Sequence, residues 1–329
     1  MNSTEALSRL RDELRRRHHA LSTERTYCWW LGRYIAFVRA APADATREEK
    51  VESFLTALAH ERRSASSQNQ ALNALVFFHA HVLGRPLVGV NALRARRPDR
   101  VRIAPGRMET RALLRALAGT PPLDLVAHLL YGCGLRLCEA LDLRLKDVDV
   151  VNSRLWIRDA KHRKDRVVAL PCALAEAVAA QVSTGEAAWR EDFRHRVPVP
   201  LPGLIAGKHP HAEYSRDWRW LFPAAGTCRD PRRSRVVRWR IHQTNVQRAF
   251  ATASARLGLR PALTPHHLRH AYATHCLEDG VNVRALQAAM GHKSLDTTMG
   301  YLHADALSVV SPLDRAGKPF ATKTLQNVD

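Results

Sequence analysis

The chain has 329 residues, of which 25% are charged, and its formal net charge is +20 at pH 7. This length can bury one or two hydrophobic cores, and two domains is the more common solution. The positive excess, carried mostly by Arg, suits a polyanionic partner, although a generally Arg-rich protein would show the same bias. No apolar run reaches the ~18 residues of a membrane span, so a membrane partner is not expected.

The six cysteines contain no C-x-x-C pair, which argues against both a zinc site and a disulfide framework. They are Cys28, Cys133, Cys138, Cys172, Cys228 and Cys276. The N-terminus mixes acidic and basic residues and does not resemble a signal peptide. We therefore expect reduced thiols, a cytoplasmic protein and no bound metal.

Residues 1–93 are predicted to form an all-helical domain. Four helices are expected: one capped by Ser3 or Thr4 and ending at Arg17, one opened by residues 22–24, one after Thr46, and one over Ser64–Leu83. Apolar residues at helical spacing predict the inward faces: Tyr27, Trp30, Leu31, Tyr34, Phe37, Val51, Phe54, Leu55, Leu58, Leu72, Leu75, Val76, Phe78 and Val82. A basic linker over residues 94–106 follows. Four helices joined to a basic linker favour a DNA-binding module, and a protein-binding bundle is the alternative.

From residue 107 the pattern predicts a second domain, mainly α with a small β-sheet, over residues 107–312, before a tail over 313–329. The predicted helices cover residues 109–117, 123–131, 137–143, 171–182, 245–257, 265–278, 282–290 and 295–302. Two alternating segments, 154–158 and 166–170, predict a β-hairpin.

The first motif of chemical interest lies between the second and third of these helices. Tyr131-Gly132-Cys133-Gly134-Leu135-Arg136-Leu137-Cys138-Glu139 places an acid three residues after Arg136. By itself such a pair is most often a weak helix ion pair. Lys161, near the turn of the predicted hairpin, could equally be a solvated charge.

A second set of residues closes the domain. His266-His267-Leu268-Arg269-His270 precedes Gly291-His292-Lys293, and Tyr301 lies nine residues after His292. A phenol is a poor nucleophile at neutral pH because its reference pKa is about 10. Nearby cations favour the phenolate and stabilise charge that builds on a phosphoryl group. The pattern therefore indicates phosphoryl transfer.

In this order, the charged and aromatic residues of both motifs resemble the active site of the tyrosine recombinases, the phage-integrase family. The resemblance implies a helical, SAM-like core-binding domain that binds DNA, followed by a catalytic domain. It implies that Tyr301 attacks a DNA phosphate, leaving a 3′-phosphotyrosyl bond and a free 5′ hydroxyl. The reaction needs no metal or nucleotide cofactor, because the covalent bond stores the energy for rejoining.

The resemblance also implies a role for each remaining residue of the set. Arg136 and Arg269 would hold non-bridging phosphate oxygens, and Lys161 would protonate the leaving 5′ oxygen. His266 and His292 would move a proton or donate hydrogen bonds. Glu139 would orient Arg136 or His266.

Two positions in this pattern leave a choice. The H-x-x-R spacing to Arg269 selects His266 rather than the adjacent His267. The family usually has Gly-Lys-Gly where this chain has Ala160-Lys161-His162, so Lys164 is the alternative to Lys161.

A long insert, residues 190–242, resembles the segment peculiar to integron integrases. Its matching stretches are 202–212, 217–223, 229–232 and 237–242, and residues 64–72 and 311–314 also match that subfamily. Aromatic and Pro faces stack on unpaired bases, which makes Trp218, Trp220, Pro231 and Trp239 candidates for DNA binding; packing of the insert is the alternative. The family commonly has two His where this chain has Trp239-Arg240.

That resemblance implies a homotetramer on two DNA sites, a double-stranded attI-like site and an attC-like site folded from a single strand. Three other functions remain open: a double-strand-specific recombinase of the Xer or phage type, a type IB topoisomerase, and a decayed integrase that only binds DNA. The insert argues against the first two, and the intact catalytic set against the third.

Overall fold

The computed structural model describes residues 2–40, 42, 44–90, 104–158, 165–202 and 205–291. The chain separates into two units, Met1–Val101 and Arg102–Asp329. Both are mainly helical, and only the second contains β-strands among its described residues. The predicted fold class is therefore confirmed. No helix in the described ranges is long and apolar enough to cross a membrane.

Helices of the first unit enclose one apolar core. They are α1 (Ser3–Arg16), α2 (Leu21–Val38), α3 (Arg47–His60) and α4 (Ala65–Phe77), and α4 continues into a π-helical turn over Phe78–Val82. The core contains Leu10, Leu31, Phe54, Leu58 and Leu75, all at most 2% exposed. Burial of each such side chain contributes about 1.5–3 kcal/mol, so the apolar stripes hold these helices together.

The predicted helix starts agree with the structure at two of four positions. Thr46 and Ser64 cap α3 and α4 through their side chains. Asn2, rather than Ser3 or Thr4, caps α1 by accepting a hydrogen bond of 2.8 Å from the backbone N–H of Glu5. α2 begins at Leu21, before the predicted start, and has no side-chain cap.

Val76 does not face inward as predicted, since it is 45% exposed. The buried positions of α4 are Ala71, Ala74, Leu75 and then Phe78. Neighbouring helical residues lie about 100° apart around the axis, so the residue after Leu75 turns away from this stripe.

The second unit packs its helices around a core that also covers one face of a small sheet. Its elements are α5 (Arg107–Leu117), α6 (Leu123–Gly132), α7 (Leu137–Leu141), β1 (Val148–Asp149), β2 (Arg154–Ile157), β3 (Arg166–Ala169), α8 (Cys172–Arg194), α9 (Ile205–Lys208), β4 (Cys228–Arg229), β5 (Val236–Val237), α10 (Gln243–Arg256), α11 (Pro265–Glu278) and α12 (Val283–Met290). Strands β1, β2 and β3 form an antiparallel sheet in that order, with Leu155 opposite Val168. Both residues are buried, as the predicted alternation requires.

Helix α8 is longer than predicted, because it continues through Ser183-Thr184-Gly185 to Arg194. The hydroxyls of Ser183 and Thr184 donate to carbonyls one turn earlier and so remain compatible with the helix. Gly185 permits close packing: a Cβ there would lie 2.9 Å from Leu145 Cδ2 and 3.2 Å from the Trp220 carbonyl oxygen. Tertiary contact with the insert therefore overrides the helix-ending pattern in the sequence.

Candidate active site

Arg136 and Glu139 are brought together by the start of α7. Arg136 is the N-cap residue, and the Glu139 carboxylate accepts from its backbone N–H at 2.8 Å and from its Nη1 at 2.6 Å. Gly134 makes the preceding turn with φ +62°, and a Cβ there would lie 2.3 Å from the Tyr272 ring. The turn therefore requires glycine, and it aims Arg136 toward α11.

Arg269 comes from α11 and is 1% exposed. Its Nη1 donates to the Gly134 carbonyl oxygen at 2.5 Å and lies 3.5 Å from Glu139 Oε2. Its Nη2 donates to the Met290 carbonyl oxygen at 2.7 Å. The second predicted arginine thus lies against the same carboxylate as Arg136.

His266 stands one helical turn before Arg269 and is exposed at the start of α11. Residues three apart share a helix face, so the H-x-x-R spacing directs both side chains to one side. Arg136, His266 and Arg269 line one cleft of about 460 Å³, together with Gln243 and Thr264 among others.

The neighbouring histidines have other contacts. Nδ1 of His267 accepts a hydrogen bond of 2.9 Å from the Thr264 backbone N–H and so caps α11. His275 is buried and its Nδ1 lies 2.9 Å from the Tyr131 hydroxyl. His270 is buried, with its ring edge-on to His266 at 4.4 Å between centroids.

Arg166 is a member of this site that the sequence motifs did not identify. It lies at the start of β3, and its Nη1 and Nη2 donate to the two Glu139 oxygens at 3.1 and 2.7 Å. Its Nε donates to the Ala289 carbonyl oxygen at 2.8 Å. We call Glu139, Arg136, Arg166 and Arg269 the Glu139 cluster. In the sequence, Arg166 could be recognised only as a charged residue at the start of a strand, opposite buried Ile157. That position does not indicate Glu139 as its partner.

Electrostatics in the Glu139 cluster favour an ionised carboxylate. Burial raises the pKa of Glu139, but hydrogen bonds from Arg166 and from the Arg136 backbone, with the charges of both guanidiniums, lower that pKa to about 2. Three guanidiniums around one carboxylate leave the cluster net positive. Such a site attracts an anion and stabilises negative charge that develops on it.

A second cleft, of about 320 Å³, opens beside the same carboxylate. Its lining includes Glu139, Arg158 and four tryptophans: Trp156, Trp218, Trp220 and Trp239. We call it the tryptophan cleft. Trp156, on β2, was not singled out from the sequence. An aromatic residue on the outward face of an alternating strand does not by itself indicate a binding site.

The candidate stacking residues differ in their surroundings. Trp220 is 6% exposed, its ring packs on the Arg144 guanidinium at 3.1 Å, and its Nε1 donates to the Arg238 carbonyl oxygen. Trp218 is half-buried, and the Lys146 ammonium lies 3.0 Å from its ring centroid.

Trp239 is half-buried and lines the tryptophan cleft. Its neighbour Arg240 forms an ion pair with Asp142. Pro231 is exposed in the turn between β4 and β5 and is not among the described residues that line this cleft. Three of the four candidates, Trp218, Trp220 and Trp239, therefore line the tryptophan cleft, and of these Trp220 is buried whereas Trp218 and Trp239 are half-buried.

Several predicted residues lie outside the described residues. They are Lys161 and its alternative Lys164, His292, Tyr301, the predicted helix 295–302 and the tail. Their roles remain predictions.

Models of known protein families match parts of both units. Residues 108–307 match the model of the phage integrase family, and residues 7–88 match the phage integrase N-terminal SAM-like domain. The chain is 36% identical over 322 residues to an integrase/recombinase from Escherichia coli, covering 95% of this chain and 94% of that protein. It is 31% identical over 284 residues to the tyrosine recombinase XerA of Thermococcus onnurineus, covering 85% and 84%.

Among solved structures, the fold matches the XerH site-specific recombinase bound to difH before cleavage, with a TM-score of 0.60 at 18% identity. The match covers 94% of this chain and 84% of that one. Fold, family models and relatives agree over both units, and the chain therefore belongs to the phage integrase family, as a tyrosine site-specific recombinase.

Proposed function

We propose that this recombinase is of the integron-integrase type and joins a double-stranded attI-like site to an attC-like site folded from a single strand. The tryptophan cleft is the observation that carries this proposal. A folded single strand differs from a duplex in its unpaired bases, and aromatic faces hold such bases by stacking. Trp156 and Trp239 line the cleft beside Arg158, which can pair with a phosphate.

Strand cleavage in this proposal begins at Tyr301. Its phenolate oxygen forms a bond to the scissile phosphorus, and the bond from phosphorus to the 5′ oxygen breaks. Lys161 gives a proton to the departing 5′ oxygen. Rejoining is the reverse reaction with a new 5′ hydroxyl, so the phosphotyrosyl bond supplies the energy.

The described part of the site supports this chemistry through charge. Arg136 and Arg269 would hold the two non-bridging oxygens, whose negative charge grows in the transition state. His266 and His292 would donate hydrogen bonds to phosphate or move a proton. Glu139 would keep the Arg136 guanidinium oriented toward the cleft, as its two hydrogen bonds to that residue suggest.

Assembly and surroundings follow from the same reaction. A complete exchange cuts four strands, so we propose a homotetramer on two DNA sites, with residues 306–313 docking between neighbours. DNA as partner is supported by family membership and by the XerH relative, whose structure contains its difH site. The cytoplasmic location stays a prediction.

Binding to hairpin DNA tests the integron-type assignment. The probe is a fluorescent DNA hairpin with extrahelical bases in its stem, compared with the same hairpin after those bases are removed. Trp156→Ala and Trp239→Ala should raise the dissociation constant for the bulged hairpin roughly tenfold or more, because stacking is worth ~1–3 kcal/mol per base. Binding to the fully paired hairpin should change little, since phosphate contacts dominate there.

Trp189→Ala serves as the matched control: this tryptophan donates to the Tyr214 carbonyl oxygen and is not among the described residues that line the tryptophan cleft, so its loss should affect both hairpins alike. Tyr301→Phe should bind both probes and form no covalent adduct. Equal losses on both hairpins for Trp156→Ala and Trp239→Ala would contradict recognition of unpaired bases.

One observation favours the alternative of a double-strand-specific recombinase. Trp220 is buried and Lys146 lies over the ring of Trp218, so two of the insert's tryptophans already have packing partners. Under that alternative, the variants of the tryptophan cleft would leave the preference for bulged DNA unchanged.

A further inference from the structure

The C-terminal end of α12 is held by arginines from three different elements. The last carbonyls of a helix have no partner within the helix, and they form the negative end of its dipole. Here three consecutive carbonyls each accept from one guanidinium: Ala289 from Arg166 at 2.8 Å, Met290 from Arg269 at 2.7 Å, and Gly291 from Arg136 at 3.4 Å. The same three arginines surround Glu139, so this helix end and the carboxylate are held as one assembly.

Arg166 differs from the other two arginines in what it faces. All three of its guanidinium nitrogens donate to protein oxygens, two on Glu139 and one on Ala289. Its side chain is 11% exposed, whereas that of Arg136 is 40% exposed. Arg166 is also not among the described residues that line the cleft of Arg136 and His266. This geometry suits a residue that acts through its neighbours rather than on DNA.

A glycine at the end of α12 leaves room for the Arg166 guanidinium. Gly291 ends α12 with φ +64°, and a Cβ at this position would lie 3.1 Å from Arg166 Nη1 and 3.3 Å from its Cζ. The helix end and the guanidinium thus pack at a distance that a side chain would disturb.

We propose that Arg166 is a positioning residue for strand cleavage. By holding both oxygens of Glu139, it fixes the carboxylate in the orientation that aims Arg136 at the cleft. It also shares the negative charge of Glu139, which would otherwise pair more strongly with Arg136 and weaken its hold on phosphate. This inference rests on the proposed role of Arg136 at the scissile phosphate.

Charge-neutral DNA provides the test. A cleavable site is first selected from random-sequence duplexes and hairpins by SDS-resistant trapping with the full-length wild-type chain. The site is then synthesised with either a normal phosphate or a methylphosphonate at the scissile position. The methyl group replaces one non-bridging oxygen and removes the negative charge that Arg136 would stabilise.

Single-turnover cleavage should separate positioning from general structural damage. On normal phosphate we expect Arg166→Ala to cleave ~10–100-fold more slowly, by analogy with the loss of residues that orient metal ligands. On methylphosphonate, the cleavage rate of Arg166→Ala should be only a few-fold below that of wild type, and the same should hold for Arg136→Ala. Arg166→Lys keeps the charge but not the two-pronged contact, so it should fall between wild type and Arg166→Ala.

Arg238→Ala is the matched control, since this arginine also holds a buried carboxylate, Asp192, but lies outside the Glu139 cluster. Its effect should be the same on both substrates. Equal losses on both substrates for Arg166→Ala, or for Arg166→Lys if the alanine variant fails to fold, would overturn the positioning role. A wild-type chain that traps no site would instead overturn the proposed function.

Discussion

Two buried clusters of the second unit combine arginines with one carboxylate, and they differ in whether an arginine reaches solvent. The Asp192 cluster consists of Asp192, Arg219 and Arg238. The Asp192 carboxylate accepts from Arg219 Nη1 at 3.1 Å and from Arg238 Nη2 at 2.7 Å. Side-chain exposure is 2% for Asp192, 3% for Arg219 and 14% for Arg238. In the Glu139 cluster, Arg136 is 40% exposed.

This difference separates a structural use of arginine from a functional one. In the Asp192 cluster the guanidiniums also donate to backbone carbonyls, Arg219 to Val197 and Arg238 to Ala224. The cluster thereby ties the end of α8, where the insert begins, to later segments of the insert. The Glu139 cluster keeps one guanidinium toward a cleft, so it can bind an anion. A buried ion pair is by itself weak evidence that a cluster stabilises the fold. The two clusters are distinguished instead by the solvent exposure of their arginines.

The largest effect is expected when the carboxylate of the Asp192 cluster is removed. Asp192→Ala leaves Arg219 and Arg238 buried without their shared partner, which should lower the free energy of unfolding by about 3–5 kcal/mol. Urea denaturation of the full chain measures this change. If the free energy of unfolding falls by less than about 1 kcal/mol, both arginines must find water or other acceptors, and the cluster would not be isolated from solvent.

Arginine variants should separate the two clusters by activity. Arg136→Ala should slow cleavage by about two orders of magnitude or more, on the scale of ~3 kcal/mol for one lost transition-state donor. Arg238→Ala should leave the cleavage rate of the folded protein near that of wild type. Single-turnover adduct formation on one duplex site compares them, and equal losses would contradict the functional distinction.

Acidification should reduce the contribution of the Glu139 cluster to stability in a defined pH range. Because the pKa of Glu139 is lowered to about 2 in the folded chain, its stabilising contribution is complete above the unfolded value, near 4.5, and is lost as pH falls toward 2. The contribution is roughly 3 kcal/mol at neutral pH. Glu139→Gln should therefore be less stable than wild type at pH 7, and the difference should narrow below about pH 4.5. A pH-independent difference in urea denaturation would contradict this assignment.

The smallest effect is expected at the helix end that meets Arg166. Gly291→Ala places a side chain at positive φ and near the Arg166 guanidinium, which should cost about 1–2 kcal/mol. Gly258→Ala is the control, because Gly258 also has a positive φ, +66°, but a Cβ there meets nothing within 4 Å. Thermal melting compares the two variants. Equal melting temperatures would show that the contact between Arg166 and the helix end tolerates displacement.

Local structure was largely predictable from the sequence. The apolar periodicity of α11 predicted residues 265–278, and the structure has Pro265–Glu278, because a proline at the first turn and helical spacing are local signals. In the predicted inward face of α4, Leu75 is buried, Leu72 is only half-buried and Val76 is exposed. Helix α8 was predicted too short, since its continuation depends on packing of Gly185 against the insert.

The candidate site divides in the same way. Resemblance to the motifs of the family grouped Arg136, Glu139, His266 and Arg269, and the structure brings these four together. Arg166 could not be selected, because its contact with Glu139 joins a strand to a helix 27 residues away in sequence. The same limit applies to the tryptophans of the insert, whose aromatic character does not tell a buried ring from an accessible one.

By itself, then, the sequence determined the family, the order of its candidate catalytic residues and the course of most helices. Tertiary structure alone decided which arginines contact Glu139, that Trp220 is buried while Trp239 is half-buried in the same cleft, and that Arg136 of the Glu139 cluster reaches solvent whereas the Asp192 cluster is buried. The physical reason is that helix periodicity and capping act within a few residues of the chain. The partner and exposure of a charged or aromatic side chain depend instead on elements that only folding brings together.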